Sequence, residues 1–361
     1  MDIKKVLFFK PGAIGDLLHA LPALKALKQK FPAALVTAVV SPGLEPLIQG
    51  TSIADRVLVF DKSHFKKSVK DFIGFGLRLR REEYDLFVDM QPSARSFALR
   101  LICGARRSLV YRKQKRAGSS RQRLHAVENF LGTLRPLGVT GPADDMELPV
   151  GDEARRAVDR FLADQHVDGS RPLIALNCSV GAARPARNWF PERFAALADR
   201  LIRDLGAAIV FVGGPEDREL VESVMAAMKE TAIIAAGKFS IAESAALLAR
   251  CACLVSSDTG PLHLATAVRT TVVGLFGSTD PLRTGPVGRG HQVLREKLPC
   301  APCEEKHCPL GTRACMEAIG VDGVFAAVRK AMRSLLSSSL SSQRSFRLCP
   351  SSLMRLPSAT S

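Results

Sequence analysis

Two rhythms of apolar and polar positions run along this chain. Short apolar runs recur at 6–9, 34–40, 57–60 and 86–88. Between them lie stretches with apolar residues three and four apart, such as Leu17, Leu18, Leu21, Leu24 and Leu27 within 17–30. A short continuous apolar run reads as a buried strand, and the three-and-four spacing reads as one face of a helix. The rhythm resumes after a gap. Runs at 173–176, 208–212, 233–235, 253–256 and 271–276 predict strands; 191–205, 216–228, 241–249 and 261–268 predict helices. Strand–helix alternation of this kind predicts α/β architecture with parallel sheets. The stretch 142–152, with Pro142, Pro149 and Gly151, reads as a linker. The expected fold is two doubly wound, Rossmann-like parallel-sheet domains, 1–150 and 151–333, facing each other across a cleft. From Ser334 the chain turns Ser-rich without regular periodicity, so 334–361 is expected to be a disordered tail.

Length and composition agree with two domains and a tail. The 361 residues are 47% hydrophobic and 24% charged, which excludes wholesale disorder. No apolar run reaches the ~18–20 residues of a membrane span. The N-terminal MDIKKVLFF leads into Lys-Pro-Gly-Ala-Ile-Gly-Asp rather than a cleavage site, so it reads as a first strand and loop, and a cytoplasmic location is expected. The nine cysteines are then expected to be reduced or metal-binding rather than a disulfide framework.

Charge changes the picture more. The net charge is +16, and it is uneven: 1–150 carry 25 basic against 14 acidic residues, whereas 151–333 carry 23 against 21. No acid occurs from Met90 to Val127, a stretch holding Arg95, Arg100, Arg106, Arg107, Arg112, Lys113, Lys115, Arg116, Arg121 and Arg123. Lys62, Lys66, Lys67, Lys70, Arg78, Arg80 and Arg81 precede it. Such a field attracts an anionic membrane surface, a phosphorylated substrate or nucleic acid, unless it is only a solvated face. One Trp and two Tyr are too few for stacking platforms, which argues against nucleic acid.

Four loops carry candidate chemistry. Gly12-Ala13-Ile14-Gly15-Asp16 follows the first strand and opens a helix, the setting of an anion or sugar cradle. It lacks GxGxxG, which disfavours a nicotinamide enzyme. Asp16 is either a dipole-complementing cap or a general base. Ser256-Ser257-Asp258-Thr259-Gly260-Pro261-Leu262-His263 also joins a strand to a helix, with proline where a first helical turn favours it. The N–H groups of Thr259 and Gly260 there suit a diphosphate. Asp258 holds a sugar hydroxyl or caps the helix, and His263 faces phosphates or packs inside. The loop 274–281 ends another strand, and Arg187 in a basic loop before a helix suits a leaving diphosphate.

These residues also carry a resemblance. GxxGDxxHxLPAL (12–24), DTGPLHLA (258–265) and LFGSTDPLRTGPVG (275–288) resemble signature blocks of the family 9 glycosyltransferases, the ADP-heptose:lipopolysaccharide heptosyltransferases. The resemblance runs from about residue 4 to 332. It implies a GT-B fold, with the donor ADP-heptose mainly on the second domain and a phosphorylated inner-core lipopolysaccharide acceptor on the basic first. It implies an inverting transfer that requires no cofactor for catalysis, on a protein attached peripherally to the anionic inner-membrane surface. Asp16 resembles the family's base. Arg187, where the family usually has lysine, Asp258, Thr259, Gly260 and His263 match donor-binding positions. Glu216 falls near the acid expected on the nucleotide ribose, with Asp217 as its rival. Gly12, Gly15, His19 and Arg95 are the acceptor-side candidates.

Cys300, Cys303, Cys308 and Cys315 read C-x2-C-x4-C-x6-C, a candidate structural zinc or iron–sulfur site, with His307 as a substitute ligand. The plainer reading is a reduced cluster. Cys103, Cys178, Cys251, Cys253 and Cys349 fall in no motif.

Overall fold

The computed structural model describes residues 3–113, 124–143 and 146–341, with side chains described only as far as 334. The chain divides into two compact units, Met1–Pro149 and Val150–Ser361.

The first unit alternates as the apolar rhythm predicts. It runs β1 (Lys5–Phe9), α1 (Ile14–Lys30), β2 (Leu35–Val40), β3 (Arg56–Val59), α2 (Lys62–Lys67), α3 (Val69–Arg81), β4 (Leu86–Asp89), α4 (Ala94–Cys103), β5 (Arg107–Val110) and α5 (Ala126–Gly132). The sheet order is β3-β2-β1-β4-β5, with every pair parallel. Phe9 pairs with both Val39 and Asp89, so the chain leaves β1, β2 and β4 at one edge of the sheet. That carboxyl edge is where ligands bind in open α/β sheets. Leu7, Phe9, Val39 and Phe87 of the sheet pack against Phe75 and Leu79 of α3 and Leu99 and Cys103 of α4. α4 begins with a reciprocal capping box, Ser93 and Ser96, and ends at Gly104 in the left-handed region.

The second unit runs α6 (Asp152–Asp164), β6 (Leu173–Asn177), α7 (Pro191–Leu205), β7 (Ala208–Phe211), α8 (Arg218–Ala226), β8 (Ile233–Ile234), α9 (Ile241–Arg250), β9 (Cys253–Ser257), α10 (Gly260–Ala267), β10 (Thr271–Leu275), α11 (Pro281–Thr284), β11 (Gln292–Leu294), α12 (Ala314–Glu317) and α13 (Val321–Ser341). Its sheet order is β11-β10-β9-β6-β7-β8, again all parallel. Asn177 pairs with Ser256 and Ser257 with Leu275, so β6, β9 and β10 end together.

The tail departs from expectation. α13 carries helix through Ser341, into the segment expected to be irregular from 334. Val324, Phe325, Val328 and Ala331 bury one face of this helix in the core. Once that packing sets the first turns, each further residue adds a backbone bond at little cost, so a Ser-rich run continues the helix. The remainder of the expected tail, 342–361, lies outside the described residues, as do Lys115, Arg116, Arg121, Arg123 and Cys349. No helix among the described residues is long and apolar enough to cross a membrane.

Candidate functional site

In the second unit, three loops meet at the carboxyl edge of the sheet around the buried carboxylate of Asp258. Its Oδ1 lies 3.3 Å from His263 Nε2 and its Oδ2 lies 3.2 Å from Arg187 Nη1. Thr284 Oγ1 donates to Oδ2 at 3.0 Å, and Arg187 Nη1 donates to the Asp258 carbonyl at 2.7 Å. Burial pushes the Asp258 carboxyl up, but His263, Arg187 and Thr279 outweigh it and hold it below the usual carboxylate range. Burial also draws the Arg187 guanidinium down, against the opposing pull of Asp258.

The start of α10 is open. Thr259 stands at its N-cap position but makes no side-chain cap bond. Its hydroxyl instead accepts from Asn177 Nδ2 at 3.1 Å and meets Ser256 Oγ at 3.2 Å. The first turn of α10, in which Pro261 has no N–H, thus lacks a side-chain cap, and Arg187, which donates to the Asp258 carbonyl just before it, has an Nε buried without a hydrogen-bond partner. Free helix N–H groups, a positive dipole end and an incompletely bonded guanidinium together suit a phosphate or diphosphate.

At the end of β7, Asp217 Oδ2 accepts from Gly214 N at 2.8 Å and closes the turn. Glu216 is exposed on the same turn. The rival to Glu216 is thus occupied by local structure. His263 is buried against Asp258, the inward one of its two expected placements.

In the first unit, Asp16 lies in the first turn of α1, where it complements the helix dipole, and its side chain is 61% exposed. Lys10, 1% exposed at the end of β1, brings Nζ to 3.6 Å from Asp16 Oδ2 and donates to Gln91 Oε1 at 3.0 Å. Burial lowers the Lys10 pKa, and Asp16 and Asp89 oppose it. Asp89 is itself buried and pushed up, with Arg100 Nε 3.4 Å away. A Cβ on Gly12 would fall 2.1 Å from Gln91 Oε1, so a larger residue there would displace the Gln91 amide that Lys10 bonds. Arg95 sits half-buried in the first turn of α4. His19 is buried on α1, edge-to-face with His125 at 5.4 Å. Gly15 is half-buried between Ile14 and Asp16.

Several of these contributors escaped sequence reasoning. Thr284 lies within a signature block but carried no assigned role. Asn177 and Gln91 carried no signal beyond their place at strand ends. Lys10 was hidden by its type, because lysine is rarely buried.

Of the two readings of the cysteine cluster, the metal site finds no support. Cys300, Cys303, Cys308 and Cys315 do line one cavity of ≈ 20 Å³, together with Ala186, Ser278 and Arg313. Among the described residues, however, no three His, Cys, Asp or Glu side chains form a group that could hold a metal ion. The thiols range from exposed Cys300 to buried Cys315. Cys308 Sγ accepts from the Arg313 amide at 3.4 Å, which lowers its pKa, while burial raises that of Cys315.

Comparison with known proteins now bears on these sites. The sequence model of glycosyltransferase family 9 (heptosyltransferase) matches residues 73–313. The lipopolysaccharide core heptosyltransferase OpsX of Haemophilus influenzae is 27% identical over 305 residues, covering 81% of this chain and 84% of that one. A solved family 9 glycosyl transferase from Veillonella parvula has a TM-score of 0.81 at 24% identity, over 92% of this chain and 98% of that one. The E. coli ADP-heptose lipopolysaccharide heptosyltransferase II structure has a TM-score of 0.76 at 19% identity, over 92% and 99%. The two parallel-sheet units are thus of the GT-B type.

Proposed function

This chain belongs to glycosyltransferase family 9 and is a glycosyltransferase, and from that premise we propose that it moves heptose from ADP-heptose to the phosphorylated inner core of lipopolysaccharide. The observation that carries the donor half is the open start of α10 beside Arg187 and Asp258. The N–H groups of Thr259 and Gly260 and the Arg187 guanidinium receive the diphosphate. Asp258, steadied by His263 and Thr284, fixes Arg187 and faces the sugar. The Glu216 carboxylate accepts from a ribose hydroxyl.

On the acceptor side, the basic first unit attracts the phosphorylated core, with Arg95 and the Gly12–Gly15 turn against it and His19 supporting α1 from within. The acceptor oxygen attacks the anomeric carbon and forms the new C–O bond. The bond from that carbon to the diphosphate oxygen breaks on the opposite face, and ADP leaves with the electron pair. The configuration inverts. Asp16 takes the proton from the acceptor hydroxyl as that bond forms. Positive charge on ADP's departing oxygens comes from Arg187 and the α10 dipole. The enzyme works at the cytoplasmic face of the inner membrane, attached by charge.

Two measurements test this reading. Calorimetric titration should show binding of ADP in preference to UDP, GDP and CDP. Preference for another nucleotide would discard ADP-heptose as donor. Asp16→Asn should lower transfer by roughly 10²–10⁴-fold with ADP binding unchanged. Undiminished transfer would remove Asp16 as the base.

A further inference from the structure

Nine large hydrophobic side chains are exposed among the described residues, and five of them share two neighbouring helices. Val69 (69% exposed), Ile73 and Leu77 follow one another at four-residue intervals along α3. Phe97 (54%) and Leu101 (65%) do the same on α4. None of these five is needed for the core, because α3 faces the sheet with Phe75 and Leu79 and α4 with Leu99 and Cys103. The two helices pack directly on each other. Gly76 of α3 makes this contact, since a Cβ there would fall 2.7 Å from Ile102 Cγ2 of α4. The exposed residues therefore belong to one surface, the outer side of the α3–α4 layer.

That surface is also strongly basic. Lys70, Arg78, Arg80 and Arg81 of α3 are exposed, as are Lys66 and Lys67 at the end of α2, which leads into it. None of them has a salt-bridge partner among the described residues. The nearby acids are engaged locally: Asp61 caps α2, and Asp71 holds His64 at 2.9 Å. Arg100 lays its guanidinium over the exposed Phe97 ring, 5.4 Å from its centre. Exposed apolar residues on one helix face, bordered by unpaired Lys and Arg, are the pattern of a helix that lies in a membrane interface.

We propose that the outer face of α3 and α4 docks on an anionic phospholipid bilayer, with Ile73, Leu77, Phe97 and Leu101 entering the headgroup boundary and the flanking Lys and Arg meeting lipid phosphates. Charge selects this occupant over a second copy of the chain, because two such faces brought together would set unpaired cations against cations. The inference deepens the proposed function by naming the face through which the enzyme reaches a lipid-linked acceptor. It rests on that reading for its purpose, while its test needs neither donor nor transfer.

The test uses the full chain and sedimentation with vesicles of phosphatidylcholine alone or mixed with phosphatidylglycerol. The protein should sediment with the mixed vesicles and stay in solution with the neutral ones. The variant Ile73→Ser/Leu77→Ser/Phe97→Ser should lose affinity at least tenfold while still unfolding in one cooperative transition, with its thermal midpoint lowered only modestly, since the side chains are 43%, 45% and 54% exposed. Lys66→Glu/Lys67→Glu/Lys70→Glu should lose still more, because each basic residue at an anionic surface is worth roughly fivefold in affinity. Equal binding by the serine variant, or no binding by the wild type, would overturn the inference. A wild-type dimer in solution that the serine variant dissociates would reassign the face to a second copy. If vesicle binding behaves as expected but ADP is not bound, the donor reading fails and the docking face stands.

Discussion

The pairing of Arg187 with Asp258 shows how one residue's environment sets its neighbour's chemistry. Asp258 is nearly fully buried, so its charge persists only because His263, Arg187 and Thr279 face it. Removing one member of a buried ion pair strands the other, typically at about 3–5 kcal/mol. Arg187→Met should therefore lose stability on that scale in urea unfolding near neutral pH. The pH dependence follows from the sign of the shift. Asp258 has a folded pKa below its ordinary 3.8, so its contribution is complete above that value and disappears as pH falls through the folded pKa. Without Arg187 the folded pKa rises toward the unfolded one and the contribution shrinks. The gap between wild type and Arg187→Met should be full above about pH 5 and close as the pH falls below 4. A gap that stays constant into acid would mean that Arg187 acts through packing and not through Asp258.

At the scale of elements, the turn that carries Arg187 depends on the Trp189 that follows it. Trp189 is buried, lies edge-on to Phe194 at 4.9 Å, and donates Nε1–H to the Ile319 carbonyl at 2.8 Å. It thereby ties the start of α7 to the segment before α13. Trp189→Ala should cost about 3–5 kcal/mol, and Trp189→Phe, which keeps most of the packing, closer to the ~1 kcal/mol of the lost hydrogen bond. Urea midpoints of the two variants check this ordering. α7 itself was legible in the sequence at both ends, because proline opens it, apolar residues mark one face and Gly206 ends it in the left-handed region. The edge strands β5 and β11 were not. Arg107-Ser-Leu-Val and Gln-Val-Leu carry too little apolar signal, and their pairing comes from the neighbouring strand. The same division holds in the site. Asp258, Thr259 and His263 lie within one loop and one turn of helix, so spacing alone could group them. Thr284 reaches Asp258 from 26 residues away, and Lys10 reaches Gln91 from 81, which only the packed sheet decides.

Across the whole molecule, charge separates two kinds of binding that salt can tell apart. The basic excess lies in the first 150 residues, and much of it is on exposed, unpaired side chains of α2 and α3. Interactions made by such groups are screened as the Debye length falls from about 10 Å at 0.1 M salt to about 3 Å at 1 M. The candidate donor site is built otherwise. Arg187 and Asp258 are largely buried, and in the proposed donor site the α10 N–H groups would meet the diphosphate by hydrogen bonds at contact distance. Such groups are screened much less. Raising sodium chloride from roughly 0.05 to 0.5 M should therefore weaken sedimentation with phosphatidylglycerol vesicles at least tenfold and change ADP affinity by less than about threefold. Parallel losses would mean that the nucleotide, too, is held by the exposed basic field, and the buried Arg187–Asp258 cluster would no longer be the donor site.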